Sequence, residues 1–129
     1  MIARMAAGIL TDEQIRSLGE LLELSEQSLA EGKLTESRLL GAEFHQRLVN
    51  LVGHRRIGVL LSNLSDQIER FQRMVERIPG RVARSMQEHR RIYEAVAARD
   101  ADLAQLTVIR HFESFLKDFM TEHRDEFSA

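Results

Sequence analysis

With no cysteine in its 129 residues, the chain can offer no thiolate zinc site, disulfide framework or cysteine nucleophile. Its chemistry falls to five histidines, at positions 45, 54, 89, 111 and 123. His89 interrupts an apolar line, Val82, Met86, Ile92 and Val96, at a position where helical spacing calls for an aliphatic core residue. His45 follows Phe44 and precedes Leu48, at the edge of another helix's apolar face. His111 stands four residues before Phe115, beside a Phe112–Phe115–Phe119 stripe. One histidine on such a line is ordinarily a core residue hydrogen-bonded to backbone. Three from three helices could instead meet in one interior, where neutral imidazole nitrogens suit a divalent metal, zinc or nickel first. His54 and His123 read as surface residues, His123 favoured near a helix C-terminus by the macrodipole.

Other chemistries lack their residues. The sequence has no glycine-rich phosphate loop, no Gly-x-Ser-x-Gly elbow and no His-Glu-x-x-His. The residues three before the histidines are Ala42, Leu51, Met86, Val108 and Met120, so the Glu-x-x-His motif of di-iron bundles is missing. Eighteen basic against 20 acidic side chains leave a net charge of −2. The tightest basic cluster is the short His54-Arg55-Arg56, which predicts no nucleic-acid binding by this chain alone. No apolar run approaches the ~20 residues of a membrane span. The opening Met1–Gly8 is too short and weak for a signal peptide. The cytoplasm is the expected location.

The elements that must position the histidines read as helices throughout. Hydrophobic residues make up 43% of the chain, enough for one core, and Pro79 is its single proline. Five main helices are expected. The first spans Asp12–Ala30, with Thr11 and Gln14 as a capping box and Gly32 suited to a left-handed stop. The second runs from Glu36 to Val52 and closes at Gly53. The third, His54 to Ile78, carries Ile57, Leu61, Leu64, Ile68, Phe71, Val75 and Ile78 at alternating steps of four and three. That spacing makes a straight seam for a partner helix, within the bundle or across a dimer. Pro79-Gly80 breaks the chain, a fourth helix runs to Ala98, and Asp100 caps a fifth from Ala101 to His123. Arg124–Ala129 reads as a frayed tail. The fold class is all-α, a single antiparallel bundle of about five to seven helices forming one domain over residues 1–129.

Three segments, taken in order, resemble a known family. Glu43-Phe44-His45-Gln46-Arg47-Leu48 is similar to the Asp-x-x-Phe-His-x-x-Leu pattern of the FadR-type C-terminal (FCD) domain of GntR-type bacterial transcription regulators. Residues 88–100, from Glu88-His89 through Ile92, Ala95 and Val96 to Asp100, resemble its Glu-His-x-x-Ile-x-x-Ala-Ile-x-x-x-Asp segment. His111 then stands where the family's last histidine does, and the opening Ala6–Glu13 resembles the start of that domain. The resemblance implies a helical, dimerising sensor that binds a small effector, often a carboxylate, in a central cavity. Many members hold a divalent metal there through one Asp and three His; by motif position the histidines are His45, His89 and His111. The DNA-binding winged helix of the family has no counterpart in this sequence.

Two departures bear on the site. Gly41 stands where the family aspartate belongs, four residues before His45, and Gly53-His54 replaces a usual Gly-Asn corner. The nearby Glu43, two residues from His45, should point elsewhere. A three-histidine site would then be open, completed by water or by the effector's own carboxylate. On this reading Gly41→Asp restores a ligand. Arg70 and Arg73, flanking Phe71, are the candidate anchors for an anionic effector, unless they simply snorkel at the surface. The competing readings are a small metalloenzyme using the same histidines and a metal-free dimerisation module.

Overall fold

The computed structural model describes residues 1–122, and over these the chain is helical with no strand. Seven helices follow in order: α1 (Ile2–Ile9), α2 (Asp12–Ala30), α3 (Leu34–Val52), α4 (Arg55–Asn63), α5 (Ser65–Glu76), α6 (Arg81–Ala97) and α7 (Ala101–Glu122). No helix among the described residues is long and apolar enough to cross a membrane. Short turns make sequential helices antiparallel neighbours. Ser37, early in α3, donates to the carbonyl of Ser25, late in α2 (2.7 Å). Arg81, first in α6, reaches Asp118 near the end of α7 (2.8 Å).

Local chemistry sets the ends. Thr11 and Gln14 form the expected capping box, at 3.1 and 2.9 Å. Asp100 caps α7 by accepting the Leu103 amide (3.0 Å). Gly32 and Gly53 take left-handed φ of 76° and 72°, which costs glycine nothing sterically. His54 caps α4, its Nδ1 accepting the Ile57 amide at 3.3 Å. His123 and the Arg124–Ala129 tail lie outside the described residues.

Two elements depart from the sequence reading. The expected third helix is broken at Leu64 (φ −101°, ψ 5°) into α4 and α5. Ser62, Asn63, Ser65 and Asp66 surround the break; their short polar side chains compete for backbone groups and favour helix ends over interiors. The seam is split accordingly. Val75 and Ile78 are buried, whereas Leu64 and Ile68 are exposed. The second departure is α1, unassigned by periodicity because eight residues hold together only through packing. Ala3, Ala6 and Ala7 supply that packing, buried in an interface with α3, α6 and α7.

The core has two parts. The larger joins α1, α2, α3, α6 and α7 around Leu18, Leu22, Phe44, Ile92 and Val96. The smaller joins α5 and α7 through Val75, Ile78 and Phe119, with Phe71 ringed by Phe115 and Phe119 at 5.2 and 4.8 Å. The histidines lie where the two meet. Phe44 of the larger part stacks on His89 (5.6 Å between centroids, 22° between planes). Val75 and Phe115 line the same cavity as the three imidazoles. The α7 aromatic stripe does not act as one face, since Phe112 is 61% exposed while Phe119 is buried.

Candidate metal centre

Each histidine is delivered by a different helix. His45 comes from α3, His89 from α6 and His111 from α7, and one ligand nitrogen from each lies within 4.8 Å of the others. The sequence expectation that the three rings converge therefore holds. His89 and His111 are buried and His45 is partly so. The rings pack edge-on and stacked, with centroid separations of 4.4, 4.8 and 5.4 Å.

The ring nitrogens have distinct assignments. His45 and His89 share one hydrogen bond between their Nε2 atoms, 2.8 Å apart. His111 uses Nδ1 to donate to Glu88 Oε1 at 2.6 Å, leaving its Nε2 free for the cluster. Burial, followed by the charge of His111, pushes the His45 pKa down to about 3. Burial and then His45 and His111 likewise hold His89 well below the ordinary histidine range. Neutral imidazoles are the form that ligates.

The closest pair of nitrogens suits a divalent ion, and the separations of up to 4.8 Å within the set would have to close around it. Two bonds of ~2.0–2.1 Å place ligand nitrogens about 2.9 Å apart at a right angle and about 3.4 Å apart at the tetrahedral angle. The 2.8 Å pair needs only a few tenths of an ångström of opening. A carboxylate on the outer nitrogen of a ligand histidine fixes its tautomer and raises its basicity, which is the place Glu88 occupies. Glu88 is held in turn by Arg81, whose side chain is fully buried on the cavity wall. Arg81 also bonds Ser85 (3.1 Å), Ser114 (3.0 Å) and Asp118 (2.8 Å), and lies over the Phe115 ring.

Sequence reading missed Glu88, Arg81 and Arg38. The signal for two of them was present: Arg81, Ser85 and Glu88 step by four and three along α6, a polar ladder beside the apolar line that carries His89. Glu43 pairs with Arg47 on the surface (3.1 Å), away from the cluster as expected. Arg70 and Arg73 both lie on the exposed side of α5, Arg73 bonding Glu69 at 3.2 Å. The arginines that line the cavity are Arg38 and Arg81.

Gly41 faces the site as four-residue spacing requires, but the slot is filled. A Cβ there would lie 2.7 Å from the Met86 methyl carbon and 3.1 Å from His89 Cε1. The space that the resemblance gives to a carboxylate is taken by Met86, and His89 Nδ1 is buried with no partner. Beside the cluster opens a cavity of about 80 Å³. Its walls are apolar at Val75, Val82, Met86 and Phe115, and polar at Arg38, Gln72, Arg81 and Ser85.

Comparison with known proteins agrees with this arrangement. The FCD domain profile matches residues 1–114, a span that contains all three histidines. The chain is 31% identical over 103 residues to the uncharacterized HTH-type transcriptional regulator YdhC of Bacillus subtilis (strain 168). The match covers 78% of this chain and 46% of that protein, so the chain spans just under half the length of this curated relative. Matched over residues 1–114, and folded over its described residues as seven packed helices with three inward histidines at the motif positions, the chain belongs to the FCD domain family.

Proposed function

We propose that this domain is the sensing half of a dimeric, cytoplasmic transcription regulator, binding a small carboxylate effector beside a divalent metal held by His45, His89 and His111. The observation that carries the reading is the convergence of three imidazoles, two buried and one partly so, beside a small cavity. Without a carboxylate at Gly41, the histidines leave positions open to water or an effector oxygen. Zinc or nickel suits an all-nitrogen set and would polarise and orient a bound carboxylate. Operator recognition is assigned to a partner domain, in keeping with the relative's printed description and this chain's net charge of −2.

A dimer is supported by α7. Leu103, Leu106, Ile109, Phe112, Leu116 and Met120 are between 39% and 61% exposed and recur every three or four residues. A contiguous apolar stripe of this kind marks an association surface. Metal content after purification, followed by titration with zinc and nickel, tests the site. Wild type should bind one equivalent and His89→Ala none; equal metal in both overturns the reading. Light scattering tests the assembly, with a dimer expected and Phe112→Glu expected to give a monomer.

A further inference from the structure

Among the described residues, the buried side-chain polar atoms without a hydrogen-bond partner are Arg38 Nε, Arg38 Nη1 and His89 Nδ1. Both residues line the one cavity that holds the histidine cluster. The Arg38 side chain is only 10% exposed. Its Nη2 donates to Glu69 (3.3 Å), and its Nε lies 3.4 Å from Glu76 without the alignment of a hydrogen bond. Glu69 and Glu76 thus hold the guanidinium in place from α5 and leave its Nη1 without an acceptor. Arg81 differs, since Ser85, Ser114, Asp118 and Glu88 occupy all three of its nitrogens. A buried guanidinium with an unused Nη1 donor calls for an acceptor, and its fixed positive charge makes a carboxylate oxygen the fitting one.

We propose that Arg38 is the anion anchor of the cavity, gripping one carboxylate of a short dicarboxylate whose other carboxylate lies at the three histidines. This rests on the reading of the cavity as the effector site. The cavity's apolar walls are Val75, Val82, Met86 and Phe115, which suit a short methylene spacer. A volume of about 80 Å³ admits malonate or succinate rather than a long-chain acid. With no carboxylate at Gly41 and Glu88 engaged by Arg81 and His111, the three histidines have no carboxylate facing them from the α3 side, which leaves that position to the ligand.

The test is calorimetric titration of the zinc-loaded domain with acetate, malonate and succinate, in wild type, Arg38→Gln, Arg38→Lys and Arg70→Gln. One of the two dicarboxylates should bind at least tenfold more tightly than acetate. Arg38→Gln should lose that margin while binding acetate within twofold of wild type, Arg38→Lys should recover part of it, and Arg70→Gln should change nothing. Zinc affinity and circular dichroism of each variant separate a lost anchor from a lost fold. Dicarboxylates binding no better than acetate, or Arg38→Gln weakening both equally, would overturn the anchor and leave the cavity reading standing. Binding of none of the three would remove both.

Discussion

Replacing Glu88 with glutamine isolates the carboxylate behind the metal centre. The carboxylate accepts from His111 Nδ1 at 2.6 Å and from Arg81, both on Oε1. Glutamine keeps an oxygen in the same place and removes the charge. Arg81 retains Asp118 as an anionic partner, so the fold should survive. What changes is the basicity of His111 Nε2. Loss of an outer carboxylate typically weakens a histidine-bound metal 10–100-fold, which is about 1.4–2.7 kcal/mol. Competition for zinc against a chromophoric chelator, at fixed pH and with the urea midpoint measured in parallel, reads this directly. Glu43→Gln is the control, because Glu43 pairs with Arg47 on the surface and should leave zinc affinity unchanged. A Glu88→Gln protein that binds zinc within twofold of wild type would refute the argument.

The remaining expectations concern stability and the slot at position 41. Gly41→Asp alone should destabilise the metal-free domain by about 1–3 kcal/mol through overpacking, because Met86 occupies the space. The double variant with Met86→Ala should bind zinc more tightly than wild type in the same competition assay, and no gain would show that the aspartate is misdirected. Arg81→Met should cost about 3–5 kcal/mol by breaking the buried pair with Glu88, while Asp118 keeps Arg84; a urea-denaturation loss under ~1 kcal/mol contradicts this. Metal-free stability should also depend on pH through His45, whose folded pKa is about 3 against ~6.5 unfolded. The unfolded chain then binds more protons between those values, so stability is full above ~6.5 and falls as pH drops toward 3, by about 2 kcal/mol at pH 5. His45→Gln should flatten that slope in denaturation with chelator present, and an unchanged slope rejects the assignment.

How much could be read from residues alone follows from what each signal measures. Apolar periodicity located α2, α3, α6 and α7 because their stripes, such as Val82, Met86, Ile92 and Val96, are buried on one side. The same periodicity marked His45, His89 and His111 as inward-facing. It could not place α1, whose buried face is made of alanines, or see that Ser62–Asp66 divides the long seam. It singled out Arg70 and Arg73 and not Arg38, since proximity to Phe71 along one helix does not say which arginines line a cavity shared by α3, α5, α6 and α7. The Glu88 contact to His111 joins residues 23 positions apart on neighbouring helices, and pairings across helices are set by packing that no single-helix pattern encodes. Met86 filling the Gly41 slot is a fact of the same kind.

The division of the long seam has a consequence for how the domain breathes. α4 contributes no buried residue, and Val59 and Leu60 face outward at 54% and 57% exposure. Segments with few buried contacts open locally at low free energy while the rest stays folded. Amides in 55–63 should therefore exchange with solvent through a small local opening. Those around Leu22, Ile92 and Val96, which are at most 1% exposed, should exchange only by global unfolding. The domain thus has a soft stitch between α3, which carries His45 and Arg38, and α5, which carries Glu69 and Glu76. A stitch of this kind lets α5 shift against the rigid α2–α3–α6–α7 frame without unravelling it, giving the cavity wall its own, shallower rung on the ladder of unfolding.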